Sequence, residues 1–190
     1  VVITEDILAV GDIIITSVDD NDDGTPETED TIIIASGVVV SSLTGNVILQ
    51  AGDDIHIEAG SIVDAAVAVT MYGDYGNADG QGTDVTINGS VNAPEITIYG
   101  ESDDDVVLFD ARNGNLIVGH VQVFGDDGDD LVTVNHLHTR IAEMDLDGQG
   151  DTDRYVINTT GASDYIINVF DTGAPYDGAD RLLINGTDSD

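Results

Sequence analysis

Residues 123–134 read Val123-Phe124-Gly125-Asp126-Asp127-Gly128-Asp129-Asp130-Leu131-Val132-Thr133-Val134. An apolar strand signal runs into a turn made only of glycine and aspartate, and a second strand signal follows at once. Glycine allows the positive φ that a tight turn needs, and aspartate tolerates such turns. The four carboxylates of this turn would repel one another unless a cation lay among them. Oxygen ligands in a flexible glycine-rich turn are what Ca²⁺ selects, so the stretch predicts two strands joined by a calcium-binding turn.

The same pattern, an aspartate followed by a short apolar or alternating run, recurs along the chain. The aspartates that begin these runs are Asp30, Asp54, Asp84, Asp105, Asp130, Asp153 and Asp180, at a mean spacing of 25 residues. A unit of this length with two or three short strands cannot bury its apolar face alone, whereas stacked copies can. The repeat therefore predicts an all-β fold, a right-handed parallel β-helix (solenoid) of about 25 residues per coil with acidic Gly/Asp turns.

The chain is divided into two regions according to which residues show this repeat. Residues 30–190 are predicted to form the β-helix coils. Residues 1–29 are predicted to hold N-terminal strands and an acidic calcium loop, and an irregular first coil is one interpretation of them. The longest interval contains residues 72–82, which are expected to protrude as a loop. A β-sandwich, whose strands recur roughly every 8–12 residues, is the alternative fold.

The charge of the chain limits its partners. The formal net charge is −34 and the basic residues are four arginines, so the chain cannot neutralise the phosphates of nucleic acid. Anionic membrane surfaces are disfavoured for the same reason, and no apolar run reaches the ~18 residues of a membrane span. There is no cysteine to form disulfides. An acidic surface that only maintains solubility in high salt is the alternative interpretation, but it does not explain why the aspartates cluster at turns.

A second acidic stretch, residues 19–24, matches the first half of the calcium loop D-x-[DN]-x-[DN]-G. Asp19, Asn21 and Asp23 take its first three ligand positions. Asp30 falls on the twelfth position, where the loop has glutamate. The surroundings are strands rather than helices, so the stretch resembles the loop and not an EF-hand. A solvated acidic turn is the alternative interpretation.

The remaining candidate calcium ligands lie near the turns between predicted coils. Equivalent turns of a solenoid lie above one another, about 4.8 Å apart, so their carboxylates are expected to form ladders that divalent cations bridge. These candidate ligands are Asp103, Asp105, Asp126, Asp127, Asp129, Asp130, Asp145, Asp147, Asp151, Asp153, Asp177 and Asp180. Several Ca²⁺ ions are therefore predicted, and their binding is expected to be coupled to folding or rigidity.

The turn at residues 125–130 resembles a known calcium repeat. Gly125, Gly128, Asp130 and Val132 match the G-G-x-G-x-D-x-U-x repeat of RTX proteins, with Asp126 in place of the second glycine. In that family the turn backbone and the aspartate ligate Ca²⁺, and the proteins are exported by bacteria. The period here is about 25 residues, whereas the RTX repeat is a nonapeptide. Residues 45–57 also resemble the β-helical coils of haemagglutinin-type bacterial adhesins, and most of residues 30–190 is similar to repeat regions of giant bacterial surface and matrix proteins.

These resemblances imply a calcium-binding structural or adhesive segment of a large secreted or cell-surface bacterial protein. The residues themselves point to no catalytic site, so no enzymatic activity is expected. Its expected partners are Ca²⁺ and either neighbouring copies stacked end to end through uncapped coils or a surface polysaccharide. The alternative is a polysaccharide-binding or polysaccharide-cleaving, lyase-like β-helix, for which Tyr72, Tyr75 and Tyr99 are candidate sugar-stacking residues. The carboxylates are too abundant for any pair to identify a catalytic site, and the arginines are interpreted as ion-pair partners.

The histidines give weaker signals. His136 and His138 share one predicted strand face, a spacing that suits Zn²⁺, although ordinary outward-facing strand residues are the simpler interpretation. His56 and His120 stand alone in the sequence and are interpreted as surface residues or as residues with satisfied hydrogen bonds.

Overall fold

The computed structural model describes residues 1–18, 30–76, 80–112, 114–136, 143–159 and 165–186. Parallel sheets stack into a β-solenoid of roughly 25 residues per turn, and the regular elements of this described part are all strands. The predicted all-β parallel solenoid and its period are therefore confirmed, and the β-sandwich alternative is wrong. The right-handed sense stays a prediction from the crossover rule. No helix in the described ranges is long and apolar enough to cross a membrane.

The strands are short in the first coils and longer in the later ones. In chain order the described strands are β1 Val2–Ile3, β2 Ile7–Ala9, β3 Ile13–Thr16, β4 Ile32–Ile34, β5 Val39–Ser42, β6 Val47–Gln50, β7 Ile55–Ile57, β8 Ile62–Ala65, β9 Ala68–Tyr72, β10 Asp84–Ile87, β11 Ser90–Glu101, β12 Val106–Asp110, β13 Ile117–Asp126, β14 Leu131–His136, β15 Glu143–Gln149, β16 Arg154–Asn158, β17 Ile166–Phe170 and β18 Arg181–Asn185.

Each coil contributes to two sheets. Sheet A stacks one strand per coil in the order β1-β4-β7-β10-β12-β14-β16-β18. Sheet B begins as two columns, β2-β5-β8 and β3-β6-β9, and both columns pair with the long strand β11. From β11 the sheet continues through β13, β15 and β17. The N-terminal strands β1, β2 and β3 pair with β4, β5 and β6 in the same parallel manner as later coils do.

The core lies between the sheets and consists of side chains stacked in columns. Alternate residues of a strand point inward, and parallel register places inward residues of successive coils above one another. One buried column of sheet A is Ile34, Ile57, Ile87, Phe109, Val134 and Ile157. A neighbouring column includes Val107, Val132 and Tyr155, so a tyrosine occupies a core position of β16.

The last strand of sheet A shows how much burial depends on a following coil. Leu182 and Ile184 of β18 pair with core residues of β16, yet their side chains are 51% and 59% exposed. Their partners on β16, Tyr155 and Ile157, are 1% and 6% exposed. A core position is therefore buried by the coils on both of its sides, as expected for a solenoid.

The strand register shows that two of the aspartates predicted to begin a repeat, Asp54 and Asp84, are each one residue out of alignment with the others. The pairing of Ile32 with Ile55 places Asp53, not Asp54, beside Asp30 in the stack. In the same way, the pairing of Val85 with Val107 places Thr83, not Asp84, beside Asp105. Register is set by the inward apolar residues, because a slip of one residue would turn every side chain of the strand to the other face. The aligned column is Asp30, Asp53, Thr83, Asp105, Asp130, Asp153 and Asp180.

Candidate cation site in the acidic turns

Three turns of six residues connect sheet B to sheet A along one edge of the solenoid. They are residues 100–105, 125–130 and 148–153, and the register of the flanking strands places them above one another. Each turn begins with glycine and ends with aspartate. The predicted stacking of Gly/Asp turns is therefore confirmed for these three.

Two positions of each turn have left-handed backbone. The second and fourth residues have φ values between 61° and 132°. They are Glu101 and Asp103, Asp126 and Gly128, and Gln149 and Asp151. A left-handed backbone is unfavourable for residues with a Cβ. Hydrogen bonds between the stacked turns therefore stabilise this conformation. The amide of Asp127 donates to the carbonyl of Glu101 at 3.2 Å, and the amide of Gly150 donates to the carbonyl of Asp126 at 2.7 Å.

The first residue of each turn is glycine because a carboxylate lies where a side chain would be. A Cβ on Gly100, Gly125 or Gly148 would lie only 1.7 to 1.9 Å from Oδ2 of the aspartate that ends the same turn. Glycine and aspartate therefore depend on each other at the two ends of the turn, and the aspartate folds back over the glycine.

The last residue of each turn is a buried aspartate in a ladder of hydrogen bonds. Asp105, Asp130 and Asp153 are 2%, 3% and 2% exposed. Oδ1 of Asp105 accepts a hydrogen bond from the amide of Thr83 at 2.6 Å. Oδ1 of Asp130 accepts from Asp105 at 2.9 Å, and Oδ1 of Asp153 accepts from Asp130 at 3.1 Å. Asp180 continues this series by accepting from the amide of Asp153 at 2.9 Å, so each carboxylate bonds to the coil before it.

The fifth residues of the turns form a second ladder of opposite polarity. Oδ1 of Asp104 accepts from the amide of Asp129, and Oδ1 of Asp129 accepts from the amide of Thr152, both at 2.9 Å. These carboxylates therefore bond to the coil after them. The sequence prediction omits Asp104, although its place before Asp105 matches that of Asp129 before Asp130.

Burial makes the inner ladder electrostatically costly. The Oδ2 atoms of Asp105 and Asp130 are buried, and neither has a hydrogen-bond partner among the described residues. Burial, together with the charges of neighbouring aspartates, raises the pKa of Asp105 to about 8, that of Asp130 to about 7 and that of Asp153 to about 6. The amide hydrogen bonds to Oδ1 oppose this rise only in part. A buried carboxylate in this state is stabilised by either a proton or a cation.

The outer carboxylates of the turns line two open grooves. A groove of about 490 Å³ is lined by Gly80, Ser102, Asp103, Asp104, Asp127, Gly128 and Asp151. A second, of about 330 Å³, is lined by Asp126, Asp127, Gln149, Gly150, Asp151, Thr172, Gly173, Ala174 and Asp177. The larger groove thus brings together the predicted ligands Asp103, Asp127 and Asp151. The smaller groove brings Asp126 and Asp177 together with the same Asp127 and Asp151.

Two predicted ligands lie in a strand rather than in a turn. Asp145 and Asp147 belong to β15, because Met144 and Leu146 alternate with them as buried core residues. Both carboxylates already have protein partners. Asp147 accepts hydrogen bonds from the amide and the hydroxyl of Thr172, at 3.1 and 2.7 Å. These two aspartates therefore connect their strand to neighbouring coils, and the turn itself begins at Gly148.

Other predicted metal ligands lie outside the described residues or apart from the three turns. Asp19, Asn21 and Asp23 lie outside the described ranges, as do His138 and the side chain of His136. Asp30 is described, and its carbonyl accepts the amide of Gly52 at 3.1 Å.

The start of the segment 72–82 and the side chain of Arg112 both contact neighbouring residues of the solenoid. Within residues 72–82, Asp74 is 1% exposed and its amide donates to Oγ1 of Thr83, while residues 77–79 lie outside the described ranges. The first part of this segment is therefore packed against the solenoid. Arg112 donates from Nε to Oδ1 of Asp110 at 2.7 Å, so the ion-pair interpretation is confirmed for this arginine.

The tyrosines of sheet B form a stack with a phenylalanine. Tyr72 and Tyr99 have ring centroids 5.0 Å apart at an interplanar angle of 11°, and Tyr99 and Phe124 lie 5.4 Å apart at 17°. Tyr75 is tilted by 57° against Tyr72 at 6.2 Å. Both faces of Tyr99 are covered by neighbouring rings, which weighs against its predicted role in stacking on a sugar.

The acidic side chains are arranged as ladders and not as a converged cage. Among the residues that the structure describes, no group of three or more His, Asp or Glu side chains has an arrangement that could hold a metal ion. Comparison of the chain with protein-family models, with curated proteins and with solved structures finds no match.

Proposed function

We propose that this chain is a structural β-solenoid whose acidic turns bind several Ca²⁺ ions, and that the ions stiffen the stack of coils. The observation that carries the proposal is the pair of buried Oδ2 atoms of Asp105 and Asp130, which have no hydrogen-bond partner among the described residues. Each carboxylate uses Oδ1 to hold an amide of the preceding coil, which leaves Oδ2 to a cation. Carboxylate oxygens of this kind are the ligands that Ca²⁺ prefers.

The donor set of the turns favours Ca²⁺ over transition metals. Residues 100–105, 125–130 and 148–153 contain no histidine, and the chain has no cysteine, so the turns offer carboxylate and carbonyl oxygens. Ca²⁺ accepts six to eight oxygen ligands in flexible geometry, which suits ladders whose members come from different coils. Asp103, Asp127 and Asp151 in the larger groove would supply further oxygens.

The energetic role of the ions follows from the spacing of the coils. Two unit charges about 4.8 Å apart repel by about 0.9 kcal/mol in water and by more in a buried site. A divalent cation between them would replace this repulsion by attraction. Because the ions would bind the folded stack and not the unfolded chain, they would stabilise it by about 2.7 kcal/mol per site at a hundred times the dissociation constant.

We further propose that the chain serves as a structural or adhesive segment of a large secreted or cell-surface bacterial protein. The net charge of −34 and the RTX-like turn at residues 125–130 support this setting. Extracellular calcium sites work in the range of about 10⁻⁴ to 10⁻³ M, so weak sites repeated along a solenoid would fill after export.

The test is a calcium titration of the folded chain by isothermal titration calorimetry, combined with thermal unfolding followed by circular dichroism. Calcium is expected to raise the melting temperature more than Mg²⁺ or NaCl at the same ionic strength. The double variant Asp105→Asn, Asp130→Asn is expected to lose much of this calcium-specific gain. Glu58→Gln removes a charge from an exposed residue outside the turns and is expected to retain it. Equal gains with NaCl and calcium would show that the acidic surface only responds to salt.

A further inference from the structure

His120 lies on sheet B between carboxylates from the strands on either side of its own. Its Nδ1 atom is 3.1 Å from Oε2 of Glu95 on β11, and its Nε2 atom is 2.9 Å from Oδ2 of Asp145 on β15. An ionised carboxylate only accepts hydrogen bonds, whereas a neutral imidazole has a single N–H to donate. Both contacts are hydrogen bonds at the same time only when both ring nitrogens carry a proton.

We propose that His120 is held as an imidazolium and acts as a proton-dependent brace that ties β11, β13 and β15 together. These strands lead into the three stacked turns at residues 100–105, 125–130 and 148–153. One protonated ring therefore joins three successive coils on the face beside the turns. This brace requires no metal, so it stands independently of the proposed calcium function.

Among the described residues, the charged groups in contact with His120 are acidic. β11 contributes Glu95, and β15 contributes Asp145 together with Glu143, the register partner of His120. β11, β13 and β15 contain no lysine or arginine, so these three strands supply no cation that competes with the ring for these carboxylates. The side-chain amide of Asn168 on β17 donates to Oδ1 of Asp145 at 2.7 Å, which orients that carboxylate while its Oδ2 faces the ring.

The electrostatic environment agrees with this geometry. The hydrogen bond to Asp145 raises the pKa of His120, the bond to Glu95 adds to the rise, and partial burial opposes it. The hydrogen bond from Asn168 and, after it, the bond to His120 lower the pKa of Asp145. The two partners are thus shifted in opposite directions, as expected for an ion pair.

The sign of the resulting pH dependence follows from linkage. Because the folded pKa of His120 is raised, its contribution to stability is complete below the unfolded value of about 6.5 and is lost as the pH rises through the folded value. The contribution of Asp145, whose folded pKa is lowered, is complete above its unfolded value and is lost as the pH falls through the folded value. The brace is therefore active from weakly acidic to neutral pH.

The first test is a histidine NMR titration of the full 190-residue chain, with the His120 signals identified by their loss in His120→Gln. We expect ¹⁵N shifts typical of two protonated ring nitrogens, a midpoint above the ordinary value, and a lower midpoint in Asp145→Asn. A midpoint at or below the ordinary value, or one that Asp145→Asn leaves unchanged, would overturn the proposal.

The second test measures urea unfolding in EDTA across the same pH range. The wild-type chain is expected to exceed His120→Gln in stability at weakly acidic pH, and this difference should disappear above the His120 midpoint. His56→Gln is the matched control, because among the described residues His56 has a single ion-pair contact, between its Nε2 and Oδ2 of Asp54, at the longer distance of 3.6 Å. This control should leave the His120 titration unchanged. A stability difference that is the same at every pH would show that the ring acts only by packing, and would overturn the proposal.

Discussion

Oδ1 of Asp130 lies 2.9 Å from the backbone nitrogen of Asp105, one coil earlier in the stack. The same bond recurs between Asp153 and Asp130, because parallel register repeats every contact at the next coil. The aspartates of the inner ladder therefore connect coils through their first carboxylate oxygen. Their second oxygen is what makes the ladder sensitive to protons and, in our proposal, to calcium.

The metal-free protein is expected to become more stable as the pH falls from about 8 toward about 6, where the pKa values of Asp105, Asp130 and Asp153 lie. A raised folded pKa means that the folded state holds a proton that the unfolded state releases. This contribution is therefore present below the unfolded pKa and is lost as the pH rises through the folded pKa. Urea unfolding in EDTA at a series of pH values checks this.

The variant Asp105→Asn distinguishes the contribution of the aspartate ladder to this pH dependence from the contributions of other titrating groups. Asparagine keeps a side-chain oxygen that accepts the amide of Thr83, but it removes the titrating carboxylate. The pH dependence should become shallower in this variant, and Glu58→Gln should leave it unchanged. A wild-type stability that rises with pH over this range would contradict the assignment.

Gly125→Ala is expected to destabilise the fold by about 1–3 kcal/mol, the usual cost of an overpacked site. The new Cβ would lie 1.7 Å from Oδ2 of Asp130 and 2.7 Å from the carbonyl oxygen of Gly148. Urea unfolding measures the loss. Gly11→Ala is the control, because a Cβ there meets nothing within 4 Å and its backbone is not left-handed. Similar losses in the two variants would show that the contact with Asp130 is not the cause.

The period of the solenoid could be predicted because glycine-aspartate turns and apolar runs recur together, as at Asp105 and Asp130. The register at Asp54 could not be predicted from that pattern. Two aspartates stand side by side, Asp53 and Asp54, and either one can be taken as the start of the run. The choice is made by Ile55, whose side chain must face the core, and this requirement becomes visible only when neighbouring coils are paired.

The side-chain contacts between residues of different coils could not be predicted from the sequence. His120 and its partners Glu95 and Asp145 lie 25 residues apart along the chain. Bringing them together requires a register that is correct to one residue in three strands at once. The same holds for the stack of Tyr72, Tyr99 and Phe124, in which each ring comes from a different coil.

Tyr155→Phe is expected to cost about 1–3 kcal/mol, the penalty for leaving a buried amide without its acceptor. The hydroxyl of Tyr155 accepts a hydrogen bond from the amide of Gly148 at 2.6 Å and donates to the carbonyl of Phe170 at 3.3 Å. The ring itself stays buried in the variant, so the change isolates the hydroxyl. Thermal or urea unfolding measures the loss, and Tyr176→Phe, at a fully exposed tyrosine, should have almost no effect.

Asn158→Ala is expected to destabilise the chain more than Asn185→Ala, because Asn158 is the middle member of an asparagine ladder. Its Nδ2 atom donates to Oδ1 of Asn135, and its Oδ1 atom accepts from Nδ2 of Asn185, both at 2.6 Å. Removing Asn158 breaks both bonds, whereas removing Asn185 breaks one. Each bond is worth about 0.5–1.5 kcal/mol, with the lower end expected at this partly exposed edge.

Urea unfolding of the two asparagine variants, and of the double variant, provides the measurement. If the ladder bonds carry the effect, the double variant should lose less than the sum of the single losses, because both single variants remove the bond between Asn158 and Asn185. Fully additive losses would show that this bond contributes nothing. A loss in Asn185→Ala equal to that in Asn158→Ala would show that the bond to Asn135 contributes nothing.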